Sequence, residues 1–115
     1  MKLDIYELIG ENCITMEDGQ KIYDLIHPEL LAGHPVALNF AKVGVYASPF
    51  FNAAIGQLLK DIKSEDLNRL LKVFNLVPAG LAVLKRVIEN SKQYYSDENF
   101  RKAQDEVLLE QAENK

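Results

Sequence analysis

Few groups in this chain could do chemistry: two histidines, one cysteine, an acidic cluster around residues 61–66, and a serine at a helix start. His27 and His34 stand seven residues apart, each followed by a proline, with no cysteine or carboxylate at metal-ligand spacing. Zinc needs three or four ligands, so both read as surface or helix-end histidines, and neither a metal nor a cofactor is expected. Cys13 has no evident basic neighbour to lower its pKa and no second cysteine to pair with, so it reads as a buried or idle thiol. Asp61, Glu65 and Asp66 read as a solvated helix end rather than a paired acid and base. Lys85, Arg86 and Lys92 make an ordinary basic side on a helix, too few for a nucleic-acid footprint. No nucleophile with a base, paired carboxylates or metal cluster can be assembled, so an enzyme is the least expected class.

The loop before residue 50 is the most informative candidate. Gly44, Ala47 and Ser48 are small, and Ser48-Pro49 is a helix start, with serine as the expected N-cap and proline at the first helical position. Backbone amides from Ala47 to Phe50 could accept an anion there, and a phosphate on Ser48 would suit the helix dipole. Phe50 and Phe51 follow. Adjacent helical positions point about 100° apart, so one is expected in the core and the other partly exposed, where a partner could reach it.

The elements that must hold this loop can be read along the chain. Residues Lys2 to Ile9 alternate imperfectly and predict a first strand ending at Gly10. Thr15 followed by Glu17 and Asp18 signals a helix start. Ile22, Leu25, Ile26 and Leu30 then recur at helical spacing, predicting a helix from about Met16 to about Leu31 that stops at Gly33, with a kink or early end at His27-Pro28. Val36, Ala37, Leu38, Phe40 and Val43 form an apolar run, the pattern of a strand covered by helices on both faces. A second helix from Ser48 carries Phe51, Ala54, Ile55, Leu58, Leu59 and Ile62 on one face, and Gly56 within it implies close packing against a neighbour. Ser64 to Leu67 reads as a polar or short helical turn, Leu70 to Val77 as a strand, and Leu81 to about Tyr94 as a third helix after a break at Pro78-Ala79-Gly80. Ser96-Asp97-Glu98 can cap a last helix with Phe100, Ala103, Val107, Leu108 and Gln111 along one side. At 115 residues, 48% hydrophobic and 26% charged, this is one domain by size, divided as residues 1–95 and a helical extension 96–115.

Strands alternating with helices argue for a layered α/β fold: a small mixed, largely parallel sheet with helices packed on it, plus a C-terminal helix. In such sheets ligands and partners gather at the carboxyl ends of the strands, here the loops Gly44–Pro49 and Asn75–Gly80.

The segment Ala37 to Gly56, with the strand Val73-Phe74-Asn75-Leu76 and the helix after it, resembles the STAS-like domains of unknown function. Those are similar to the STAS domain of bacterial anti-sigma factor antagonists. In that family a strand ending in Asp/Asn-Phe-x-x-Val precedes a loop with serine at a helix start. Asn39, Phe40, Val43 and Ser48 occupy those places. The resemblance implies a STAS-like sandwich that binds a protein, commonly a kinase-like ATPase or anti-sigma-type regulator, through the serine loop and second helix. In antagonists the helix starts Asp-Ser-Ser-Gly, and the second serine is phosphorylated. Here Ala47-Ser48-Pro49-Phe50 replaces it, so only the first serine's place is kept.

The functional expectation is a non-enzymatic regulatory module with Tyr46, Ser48, Pro49, Phe50 and Asn52 as its partner-binding surface and Ser48 as the possible phosphosite. The alternative is a small-molecule or anion-binding domain using the Ala47–Phe50 amides and the loop Asn75–Gly80. A net charge of −4 argues against nucleic acid. The absence of any long apolar run argues against a membrane span. The N-terminus lacks the uninterrupted apolar segment of a signal peptide. A cytoplasmic location is expected, with self-association through the last helix as a further possibility.

Overall fold

In the computed structural model, the backbone of residues 1–113 and the side chains of residues 1–95 are described. The elements are β1 (Lys2–Asp4), α1 (Ile5–Ile9), β2 (Asn12–Cys13), α2 (Met16–Leu31), β3 (Val36–Asn39), β4 (Val45–Tyr46) and α3 (Ser48–Ala54). A 3₁₀ turn (Gly56–Lys60), α4 (Ser64–Leu70), β5 (Leu71–Phe74) and α5 (Pro78–Glu113) follow. Strands β1, β3 and β5 form one parallel sheet in that order, and β2 pairs with β4 in a second, two-stranded parallel ladder. The α/β architecture with helices on a small parallel sheet and a C-terminal helix is the expected one.

Register explains the layers. Leu3, Leu38 and Val73 stand side by side, as do Lys2, Ala37 and Lys72, and Asp4, Asn39 and Phe74. The first row faces the core, where Val36 and Leu38 are buried with Ile22, Ile26 and Leu30 of α2, Phe51 and Ala54 of α3, Leu67 of α4, and Leu84 and Val87 of α5. The other rows make a mixed second face, with Lys72 and Phe74 exposed. The expected cover on both faces is therefore corrected: on that second face Ala37 lies half-buried between Lys2 and Lys72, and Asn39 between Asp4 and the exposed Phe74, outside the packed core.

Helix α2 begins and ends as expected. The Thr15 hydroxyl accepts from the Asp18 N–H at 3.1 Å. At the far end Gly33, with φ +82°, closes a Schellman motif: its N–H donates to Leu30 C=O at 3.0 Å, and His34 N–H donates to Glu29 C=O at 2.9 Å. Pro28 sits in the last turn and leaves the helix unbroken. The first predicted strand, by contrast, stops at Asp4, whose carboxylate accepts from Glu7 N–H at 3.2 Å and caps α1. The predicted second helix is divided, α3 ending at Ala54 and giving way to the 3₁₀ turn. There Gly56 meets α5 closely, since a Cβ would lie 2.6 Å from Ser91 Oγ. The predicted break at Pro78–Gly80 is instead the first turn of α5, which runs to Glu113 with no second start at Ser96. The expected apolar stripe from Phe100 to Gln111 and the division at residue 96 lie outside the described side chains. No helix among the described residues is long and apolar enough to cross a membrane.

Candidate functional site

The serine loop is held by backbone pairing to the chain that precedes α2. Gly44 and Val45 N–H groups both donate to Glu11 C=O, at 2.9 and 3.1 Å, and Ala47 N–H donates to Cys13 C=O at 3.0 Å. This ladder sets the N-termini of α2 and α3 side by side. Gly19 makes the seam possible, because a Cβ there would run into Phe50 C=O and stand 2.8 Å from Ala53 Cβ.

Tyr46 is a structural residue of this site. Its ring stacks on Phe51 with centroids 5.9 Å apart and touches Phe40, and its hydroxyl donates to Val43 C=O at 2.9 Å. Burial, and secondarily Cys13, raise its pKa. The second predicted loop reaches the same ring: a Cβ on Gly80 would lie 3.1 Å from Tyr46. Asn39 ties the two loops at the sheet edge, its Oδ1 accepting from Ala41 N–H at 3.0 Å and from Asn75 Nδ2 at 2.9 Å. Asn75 (φ +60°) and Lys42 (φ +71°) take the left-handed conformation at these turns.

Ser48, Pro49 and Asn52 are exposed on α3. Pro49, Asn52 and Ala53 line a shallow groove of about 360 Å³ against Met16, Gln20 and Gln57. Three expectations are corrected. Ala47, not Ser48, is the N-cap, with Ser48 and Pro49 as the first two helical residues and no side-chain cap. Phe50 is fully buried, as is Phe51, so neither can meet a partner directly; α3 is covered on two adjacent sides, and both rings fall inside. The amide nest from Ala47 to Phe50 is mostly spent as well: Ala47 N–H bonds Cys13, Pro49 has no N–H, and Phe50 N–H donates to Ala47 C=O at 3.2 Å. Only the Ser48 N–H is left to meet an anion.

Beside Pro49 in that groove, on the short ladder and at the start of α5 stand exposed apolar side chains whose role the spacing did not show. Met16 is 62% exposed, and Ile14, Val45, Val77 and Leu81 are exposed too. Ile14 and Val45 flank the Cys13–Tyr46 pair of the short ladder. Val77 and Leu81 flank the Gly80 turn beside Tyr46, Leu81 N–H donating to Val77 C=O. These five side chains are the apolar rim of the ladder, the α2 start and the Gly80 turn, elements that meet at Tyr46.

The other candidates resolve individually. Cys13 is fully buried, and its pKa is pushed up to about 12 by burial and then by Asp18, so it carries no thiolate near neutral pH. His27, unpartnered by sequence reasoning, meets Asp61 across 34 positions, Nε2 lying 2.9 Å from Oδ2, and stacks on Tyr23 at 4.6 Å. Burial, then Asp61, Tyr95 and Asp24, raise the Tyr23 pKa. Nothing in the local spacing signals that pair. Glu65 and Asp66 fall in the first turn of α4. Among the described residues no three His, Cys, Asp or Glu side chains are grouped to hold a metal.

No curated protein and no solved structure matches the chain. The model of one family, described as the STAS-like domain of unknown function (DUF4325), matches residues 18–81, from the first turn of α2 through β5 into the first turn of α5. That span covers more than half the chain and takes in the serine loop, α3 and the Asn39–Asn75 clamp, and the chain belongs to this family of STAS-like domains.

Proposed function

We propose that the domain is a non-enzymatic docking module whose contact surface is this apolar rim together with Ser48 and Pro49. The observation that carries this reading is the exposure of Ile14, Met16, Val45, Val77 and Leu81 at the ends of elements that are locked together by the β2–β4 ladder, the Tyr46–Phe51 stack and the close approach of Gly80 to Tyr46. Apolar surface held out on a rigid frame is what a protein partner covers. The spent amides of α3 weigh against the anion-binding alternative. A kinase-like ATPase or anti-sigma-type regulator is the partner class that the STAS resemblance suggests, with a cytoplasmic regulatory role. A phosphate on the exposed Ser48 would add roughly two negative charges to the rim and oppose an apolar contact.

Tagged wild type purified from its native cells, with co-purifying proteins identified by mass spectrometry, tests this. The expected result is a stoichiometric partner that is lost in Met16→Asp and Val45→Asp while both variants keep the wild-type circular dichroism. A partner retained by both variants would remove the rim from the account.

A further inference from the structure

Strand β5 pairs on one side only: in the order β1-β3-β5 it is an edge. One hydrogen bond sets the parity of that edge. Phe40 N–H donates to Phe74 C=O at 2.9 Å, so the backbone groups of Phe74 and of Lys72 turn toward β3, and those of Leu71 and Val73 turn outward. On the core side of this edge a groove of about 520 Å³ opens between α4 and α5, with Leu59, Leu67, Leu84 and Ile88 in its wall. On the other side Phe74 is 53% exposed. Charged side chains commonly protect such an edge, but Lys72 is turned back along α4, its Nζ donating to Asn68 C=O at 3.2 Å.

We propose that β5 is a self-pairing edge, on which a second copy of this chain lays its own β5 antiparallel about a two-fold axis at Val73. Faces and charge select that register. Directly opposed residues share a face, so the axis must pass through a residue. An axis at Lys72 opposes two like charges, and one at Leu71 overlaps only the start of the strand. An axis at Val73 opposes Val73 to its copy as a hydrogen-bonded pair made by the outward groups. It also sets each Lys72 opposite the other copy's Phe74 on the open face, where the ammonium, on leaving the Asn68 carbonyl, makes a cation–ring contact twice by symmetry. The core-side layer of Leu71 and Val73 then continues from one copy into the next. An extended segment of a different protein could use the same edge, but the Lys72–Phe74 match is a property of two identical strands.

Sedimentation velocity of the full chain over a concentration series tests this. Wild type is expected to dimerise as concentration rises. Phe74→Lys sets a lysine against Lys72 at both symmetric positions and should weaken dimerisation by roughly tenfold or more. Phe74→Glu sets opposite charges there and should keep the dimer, and Lys72→Glu combined with Phe74→Lys should restore it. Far-UV circular dichroism checks that each variant is folded. Wild type that stays monomeric at the highest attainable concentration overturns the proposal. So does a dimer that Phe74→Lys and Phe74→Glu affect equally, or one that none of the variants affects.

Discussion

Substituting Gly19 by alanine tests the seam that holds the α2 and α3 N-termini together. The new methyl would stand 2.8 Å from Ala53 Cβ and 3.1 Å from Ala54 N, and closer still to Phe50 C=O. Two of those three atoms belong to the α3 backbone, which cannot rotate away. Overpacking costs about 1–3 kcal/mol, and the rigid neighbours place this case near ~3 kcal/mol. Alanine gains about 1 kcal/mol over glycine inside a helix. The net is a loss of about 2 kcal/mol, a fall in Tm on the order of 10 °C for a chain of this size. Gly44→Ala is the control, since a Cβ there meets nothing within 4 Å; its stability should hold or rise by about 0.5 kcal/mol. Urea unfolding followed by circular dichroism measures both. If Gly19→Ala is instead more stable by its helix-propensity gain, the helices do not approach as described and the groove beside Pro49 loses its geometry.

Further outcomes follow from the same contacts. Phe50→Ala should cost about 3–5 kcal/mol in chemical unfolding, the signature of a core ring rather than a contact residue. Thr15→Ala should cost about 1 kcal/mol through loss of the α2 cap, whereas Ser48→Ala should stay within about 0.5 kcal/mol because that hydroxyl caps nothing. Cys13 should resist a thiol reagent in the native state and react on unfolding. Its folded pKa lies near 12 against an ordinary 9.0, so the unfolded chain loses its proton first. The Cys13 contribution to stability should therefore be full below pH 9 and fall between pH 9 and 12. Cys13→Ala should shrink the alkaline decline of the unfolding midpoint, leaving the part due to the raised Tyr23 and Tyr46.

The parts of the fold legible in sequence were those with local chemistry. Thr15 and Gly33 bound α2 through hydrogen bonds that their own types dictate, and Gly56 signalled a close approach that Ser91 makes. The α1 helix was misread as part of the first strand, because imperfect alternation outweighed the cap that Asp4 and Glu7 make and the helical spacing of Ile5 with Leu8 and Ile9. The continuity of α5 reflects the absence of any glycine or proline between Leu81 and Glu113, which outweighs the cap-like Ser96-Asp97-Glu98. The site was legible only in outline. Ser48, Pro49 and Asn52 are exposed as expected, but Phe50 is buried by α2 and α3 meeting at Gly19, a tertiary contact with no local pattern. The rim of Ile14, Met16, Val45, Val77 and Leu81 is assembled from three separate stretches of chain, and His27 finds Asp61 from 34 positions away.

Hydrogen–deuterium exchange on the chain bound to its co-purified partner tests the docking surface most directly. New protection is predicted in residues 11–17 and 44–52 and at the start of α5, with β1 unchanged. Protection confined to other elements, such as α4 or the C-terminal half of α2, would contradict the account.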